Sequence, residues 1–279
     1  MTEPAGGDAQ EAARQYEAAA RRCGVQVREL RELAEFELVF ALFDDIWKAE
    51  PGNAPISVEL MRAFSHSGNY VTGAFDGTTM VGASVAFLAD PPGRALHSHV
   101  TGTTVGRGVG FALKLHQRAW ALARGLDRVS WTFDPLVRRN AYFNITKLGG
   151  RPEAYLPAFY GAMEDLINAG DESDRLLLAW RLGEPHVAAA CSGAARPPRV
   201  PPGAVVALAD ERDLPVAGGT RGRVLLVATP HDVEALRRAA PAAAKAWRYA
   251  VRDVLGGLIG DGARVTGFTT DGRYILERE

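Results

Sequence analysis

Three glycines at alternate positions, Gly106, Gly108 and Gly110, run into a stretch where Val109, Ala112, Leu113, His116, Ala119, Trp120 and Ala123 recur at helical spacing. A glycine loop therefore opens a helix. Glycine puts no side chain over its own N–H, and the first N–H groups of a helix are unpaired at the positive end of its dipole. Such a loop can seat a phosphate or pyrophosphate, and the same spacing also serves as an ordinary tight turn.

Groups suited to moving a proton stand on either side of this loop. His97 and His99 lie in an extended segment, where a period of two puts both on one face and Leu96, Ser98 and Val100 on the other. Imidazole titrates near neutrality, so either suits a general base; two strand histidines are also a common structural feature. A His-x-His pair with no third ligand nearby makes a weak case for zinc, and no metal is expected.

Asp134 stands at the carboxyl end of a strand, where ligands of open α/β sheets bind; its other reading is the cap of the helix after Pro135. Asn140 and Asn144 are four residues apart, which places them on one helix face and suggests a lined pocket. The Asp174-Arg175 pair reads either as a buried ion pair that fixes a strand or as a clamp for a substrate carboxylate. Trp131 and Trp180 read as core, and His116 as packed on its helix.

The elements that position these residues follow from periodicity and breakers. Residues 1–8 are polar and read as disordered, leading into an alanine-rich helix from Ala9 to Arg22 that buries little area and is expected to pack loosely or at a subunit contact. A strand at 25–30 precedes a helix with Phe36, Val39, Phe40, Phe43 and Trp47 on one face, stopped by Pro51. Ser57 begins a shorter helix that ends before Ser67-Gly68-Asn69.

Residues 69–75, 79–88 and 94–102 then form an antiparallel meander, with Asp76-Gly77 as a hairpin turn. The glycine loop and its helix connect this meander to a strand at 128–133, and a strand–helix–strand crossover makes that pair parallel. A helix at 137–148 closes at Gly149-Gly150, a short helix ends near Asn168, and 173–182 is a further strand.

Residues 193–203 are rich in proline and glycine and read as a linker. Beyond it come a strand at 223–228 and a helix from His231, restarting at Pro241, whose apolar face carries Trp247, Val251, Val254, Leu255 and Leu258. Two final strands, 264–268 and 273–276, follow. The expected organisation is thus an N-terminal segment at 1–24, a main domain at 25–192, the linker, and an α/β extension at 204–279.

Composition narrows the function classes. The chain has 279 residues, 47% apolar and 23% charged, with a formal net charge of −1. That balance is globular, and it offers no case for a nucleic-acid or membrane partner. No apolar stretch reaches the roughly 20 residues of a membrane span, no secretory leader is evident, and two distant cysteines suit a reducing compartment. A cytoplasmic protein is expected.

Meander strands, a glycine loop opening a helix, a crossover strand and a second helix ending in Lys-Leu-Gly resemble, in that order, the GNAT (Gcn5-related N-acetyltransferase) superfamily of acyl-CoA-dependent acyltransferases. Leu-His-Ser-His-Val (96–100), Trp-Thr-Phe-Asp-Pro-Leu (131–136), Arg-Asn-Ala-Tyr-Phe-Asn (139–144), Tyr-Gly (160–161) and Ser-Asp-Arg-Leu (173–176) are similar to a little-characterised branch with a C-terminal extension. The resemblance implies a mixed α/β fold with helices on both faces of the sheet. It implies acetyl-CoA, or another acyl-CoA such as succinyl-CoA, as donor and a small amine, amino acids included, as acceptor.

By the same resemblance, pantetheine lies beside Thr103 and Thr104, and Val105, Gly106, Arg107, Gly108, Val109, Gly110, Phe111 and Ala112 hold the pyrophosphate. Asn140 reaches the pantetheine or the thioester. Two positions depart from the superfamily pattern. Val105 stands where Gln or Arg is usual, and Ile145 where many members carry the tyrosine that protonates the leaving thiolate. Tyr142, Asn144 and Tyr160 are the candidate substitutes.

The expected activity is acyl transfer by direct attack of the amine on the thioester. Two alternatives stand beside it: a GNAT-fold protein that binds acyl-CoA without turnover, and a Rossmann-like methyltransferase, since Asp134 lies 24 residues after Gly110. The polar strand before the loop argues against the latter, because a buried parallel strand should be apolar. The extension is expected to cover the acceptor pocket or, through its Trp247 helix, to make a homodimer contact.

Overall fold

A computed structural model describes residues 5–48, 54–161 and 171–278. Pro51, residues 1–4 and the helix expected before Asn168 lie outside the described residues. In chain order the elements are α1 (Ala5–Cys23), β1 (Gln26–Glu29), α2 (Leu33–Trp47), α3 (Val58–His66), β2 (Tyr70–Asp76), β3 (Thr79–Ala89), β4 (Ala95–Thr103), α4 (Val109–Leu122) and β5 (Arg128–Phe133). There follow α5 (Arg138–Ala141), β6 (Arg151–Leu156), β7 (Arg175–Arg181), α6 (Pro185–Ala189), β8 (Val205–Glu211), β9 (Leu214–Ala217) and β10 (Val224–Ala228). The last are α7 (Val233–Ala239), α8 (Pro241–Val251), α9 (Gly257–Gly260), β11 (Arg264–Phe268) and β12 (Arg273–Glu277). The chain forms two compact units, Met1–Trp131 with Arg181–Cys191, and Thr132–Trp180 with Ser192–Glu279.

In the first unit the strands lie in the order β1-β2-β3-β4-β5, with every neighbouring pair antiparallel except β4 and β5, which run parallel. One face of this sheet carries α2 and α3. Phe36, Val39, Leu42, Phe43 and Met61 pack there on Val71, Phe75, Ala83 and Val85. Ser57 caps α3, its hydroxyl accepting from the Leu60 N–H at 3.3 Å. On the other face, α4 lies against the sheet and α1 packs on α4.

Two expectations for the helices are corrected here. Helix α1 begins at Ala5, four residues earlier than expected, and packs closely: Ala12, Ala19 and Ala20 are buried, and Gln15 donates to the Ala188 carbonyl at 3.2 Å. Small side chains give little area but permit a short approach between helices, so alanine here means proximity. On α2, Phe40 is exposed and Leu42 is buried in its place.

In the second unit β6 and β7 are antiparallel, and a separate five-stranded sheet has the order β11-β12-β10-β8-β9. Strand β6 was not anticipated from the sequence. Proline lacks the donor a ladder needs, but β6 ends its sheet and the register shifts between Pro152 and Ala154, so the missing bond falls at a bulge. The β8–β9 hairpin also went unanticipated. Its turn residues Arg212 and Asp213 have φ of 56° and 64°, positions that Asn-Gly would announce in a sequence. The Trp247 indole on α8 donates to the Asp213 carbonyl at 2.8 Å and steadies that turn.

Trp247 on α8 is fully buried. The helix expected at 137–148 is α-helical only through α5 and then widens to a π-helix at Tyr142–Lys147, where Leu148 N–H donates to Phe143 O at 3.0 Å. Among the described residues, no helix is long and apolar enough to cross a membrane.

Candidate functional site

Strands β4 and β5 pair at Ala95↔Arg128, Leu96↔Val129 and His97↔Ser130, and the ladder stops there. Strand β4 runs on to Thr103 with β3 on its other side. From Ser98 onward, among the described residues, β5 no longer pairs with that β4 edge, whose backbone donors and acceptors lie in the spacing an added strand would use. His99 has no partner on β3, because the register passes from Ala86↔Ser98 to Val85↔Val100. The strand is bulged at the fork.

The bulge corrects the expected faces. Val100 turns toward α2, where it packs on the Phe36–Phe43 cluster, while Thr101 turns the other way and its hydroxyl meets Ser84 Oγ at 2.7 Å. Both histidine rings contact Phe87, at 5.2 Å for His97 and 6.1 Å for His99. His97 Nδ1 lies 3.2 Å from Ser130 Oγ. Burial, together with the charges of His99 and Lys114, lowers its pKa to about 4, so it is neutral at pH 7. His99 is exposed and its Nε2 lies 2.9 Å from the Pro55 carbonyl. A carbonyl only accepts, so that contact puts a proton on Nε2; in the neutral ring Nδ1 is then the acceptor.

The loop between β4 and α4 is built on backbone strain that glycine relieves. Gly108 caps α4 with φ of 86°, and Arg107 before it has φ of 46°. The Val109 N–H donates to Gly106 O, and those of Phe111 and Ala112 donate to Gly108 O. The N–H groups of Gly108 and Gly110 have no backbone acceptor among the described residues. No atom lies within 4 Å of where a Gly106 side chain would start. Arg107 pairs with Asp76 at 2.8 Å on the exposed side, Thr104 N–H donates to Val81 O at 3.1 Å, and Val105 is half-buried. The loop is open where an anion would need it.

Beneath the fork lie two polar residues that sequence reasoning missed. Lys114 is 4% exposed; its ammonium donates to Ser98 Oγ at 2.8 Å and Gln117 Oε1 at 3.2 Å and sits 3.9 Å from the centre of the Trp131 ring. Gln117 in turn donates to Ser84 Oγ at 3.5 Å. Burial lowers the Lys114 pKa to about 7. Nothing local announces them: Lys114, Gln117 and Arg118 read as ordinary polar positions of α4, and their burial comes from packing against β3, β4 and α1.

The remaining candidates belong to the second unit. Asp134 is not the helix cap; Val137 holds that position, and the Asp134 carboxylate accepts from Leu136 N–H at 2.9 Å. Arg248 grips it with two bonds, at 2.9 and 2.8 Å, and Arg237 adds a third at 2.7 Å. Asp171 accepts from the same two arginines at 3.0 and 2.9 Å. Burial opposes ionisation of Asp134, yet the guanidiniums, Arg248 foremost, hold its carboxyl well below the usual range.

Among the described residues, Asp174 does not pair with the Arg175 side chain, one of the two readings of that dipeptide. Asp174 pairs instead with Arg252 at 2.5 Å and accepts from Tyr155 Oη at 2.7 Å and Ala158 N–H at 2.9 Å. Arg175 donates to the Asp174 carbonyl at 2.9 Å and lies 5.4 Å from the Tyr160 ring. Nor do Asn140 and Asn144 share a face: Asn140 is exposed and Asn144 buried, because the π-helix breaks the α-helical spacing between them. Tyr142 is half-buried, and Tyr160 is exposed with its hydroxyl 3.2 Å from Thr132 Oγ1.

No protein-family model and no curated protein matches the chain. Among solved structures, the fold is similar to an aminoglycoside 6'-N-acetyltransferase from Enterococcus faecium, with 15% identity over 57% of this chain and 98% of that one and a TM-score of 0.43. A GNAT-family acetyltransferase from Streptococcus pneumoniae shows 18% identity over 56% and 98%, at a TM-score of 0.43. The ribosomal-protein-S18-alanine N-acetyltransferase from Escherichia coli shows 12% identity over 57% and 95%, at 0.46.

Proposed function

We propose that the chain is an acyl-CoA-dependent N-acyltransferase of the GNAT type that transfers an acetyl or succinyl group to a small amine, with amino acids as the first acceptors to test. The observation that carries this reading is the fork: β4 parts from β5 after His97↔Ser130, bulges at His99, and leads directly into a glycine loop at a helix N-terminus. Acyl-CoA supplies the activated acyl group, which leaves sulfur for the amine nitrogen.

The residues present fit such a ligand. The open β4 edge offers amide partners to pantetheine as a further strand would, and the bare backbone at Gly106–Gly110 offers N–H groups to the pyrophosphate. Backbone N–H groups of the bulge are the donors for the attacked carbonyl oxygen. His99 Nδ1 accepts the proton that the amine loses as its nitrogen bonds to carbon; the breaking C–S bond leaves a thiolate, which takes a proton in turn. Orientation of the two substrates supplies most of the rate. Asp134 and Asp174, engaged by arginines, act as structural anchors in this reading.

The test is a thermal-shift and calorimetry series with coenzyme A, acetyl-CoA, succinyl-CoA, S-adenosylmethionine and NAD, followed by thiol release from the bound donor with an amine panel. A ligand at about 100 times its Kd adds roughly 2.7 kcal/mol. Stabilisation by an acyl-CoA alone is expected. Stabilisation only by S-adenosylmethionine or NAD would move the assignment to a Rossmann-like enzyme, and binding without thiol release for any amine would reduce it to an acyl-CoA-binding protein.

A further inference from the structure

The Lys114 ammonium is buried with no carboxylate at ion-pair distance among the described residues, a placement that works against stability unless it does something an apolar side chain would not. Its three donors have three acceptors: Ser98 Oγ, Gln117 Oε1 and the face of Trp131. These contacts are not spread at random over the core. His97↔Ser130 is the last pair of the β4–β5 ladder, so Ser98 and Trp131 are the first residue on each strand beyond it. Lys114 touches both.

The second arm of the network reaches the far side of the bulge. Gln117 joins Lys114 to Ser84 on β3, and Ser84 Oγ meets Thr101 Oγ1. Ser98 and Thr101 bracket His99 and Val100, so the bulge is fastened on both flanks from the α4 face of the sheet. A bulge that moved by one residue would exchange the faces of the side chains it passes, carrying Thr101 away from Ser84 and leaving buried hydroxyls unpaired. The network thereby makes one register cheaper than its neighbours.

We propose that Lys114, with Gln117 and Ser84, is a positioning clamp that sets the β4 fork and its bulge, holding the backbone N–H groups where an acyl thioester carbonyl is to be polarised. The placement of the fork stands on the structure; its use on a thioester rests on the acyltransferase reading. Lys114 itself touches no substrate in this scheme.

The test uses the full chain. Hydrogen exchange is followed peptide by peptide in wild type and Lys114→Met, a change that keeps chain length and removes the ammonium. The expected result is exchange faster by about tenfold across residues 98–103, no change in β2 or α2, and no fall in melting temperature. Coenzyme A affinity should hold, since the glycine loop is untouched, while the ratio of acetyl-CoA to coenzyme A affinity drops. Unchanged exchange at 98–103, or acceleration spread evenly over the unit, would overturn the clamp. Ser98→Ala, a smaller change that removes the hydroxyl Lys114 holds, gives the same reading if Lys114→Met does not fold. If wild type binds neither coenzyme A nor acetyl-CoA, the acyltransferase reading fails while the exchange data still decide whether the clamp exists.

Discussion

In the first unit a buried lysine rests on a serine, a glutamine and an indole ring, whereas in the second Arg237 and Arg248 are buried against Asp134 and Asp171, with Arg252 against Glu172 and Asp174. The two arrangements answer the same electrostatic problem differently. Paired charges of opposite sign neutralise each other and leave little for a ligand to satisfy. In the first unit the ammonium is satisfied by neutral groups, and the unsatisfied backbone polarity lies at the β4 edge and at the N–H groups opening α4. The difference is that Asp134 and Asp174, prominent as acidic candidates, are engaged by arginines, while the groups at the fork are not.

Removing one partner from the closed network should have the largest effect. Arg248→Met leaves Asp134 and Asp171 facing Arg237 alone, and breaking a buried pair in this way costs about 3–5 kcal/mol. Denaturant unfolding should show that loss. Adding Asp134→Asn to Arg248→Met should restore part of it, because the second change removes a charge the first left uncompensated. Additive losses in the double variant would mean that the network is not the unit of stability described here.

Acid separates the two regions by pH window. His116 is half-buried, its Nδ1 2.8 Å from Tyr70 Oη and its ring edge-on to Tyr16, and desolvation of the ring lowers its pKa to about 4 from an ordinary 6.5. The folded state thus refuses a proton that the unfolded chain accepts. Stability is full above pH 6.5, falls as pH drops, and has lost about 3 kcal/mol once pH passes below 4. His97, lowered for the same reason but less buried, adds a smaller loss in the same window. Asp134 works in a lower window: its folded pKa lies below 3.8, so its contribution persists above that pH and disappears beneath it. Hydrogen exchange, corrected for its intrinsic pH dependence, should rise first in β2 and α4, and His116→Phe should flatten that rise. Simultaneous loss in both units between pH 6.5 and 4 would break the comparison.

How much of this could be read from sequence depends on the range of the forces involved. Local rules sufficed for β2 to β5, for the Ser57 cap, for the Asp76-Gly77 hairpin and for the helix restart at Pro241, since period, cap and turn each lie within a few residues. The β8–β9 hairpin escaped because Arg212 and Asp213 take left-handed geometry without glycine, and their support comes from Trp247, 34 residues away. The candidate site was legible as a glycine loop after a polar strand. Its fork was not, because the bulge at His99 depends on β3 and α4 meeting β4. Nor was the role of Asp134, whose partners Arg237 and Arg248 are 103 and 114 residues distant.

The glycine loop gives the smallest expected effect on stability and tests the open side of the comparison most directly. Gly108 is favoured by the backbone: its φ of 86° is a conformation that side-chain-bearing residues adopt only at a cost, and an added Cβ would lie 3.3 Å from Cys23 Sγ. Gly108→Ala should therefore cost about 1–2 kcal/mol before any ligand is considered. Gly106 faces no such demand. Its φ lies outside the left-handed range and nothing lies within 4 Å of an added Cβ, so Gly106→Ala should change stability by no more than about 0.5 kcal/mol. Yet a methyl group there stands over the backbone that would receive the pyrophosphate, and coenzyme A affinity should fall by about tenfold, worth roughly 1.4 kcal/mol. Calorimetry on Gly106→Ala, with melting temperature as control, reads the two quantities separately. Full coenzyme A affinity in that variant would mean that the space above Gly106 is not where the ligand's phosphates lie.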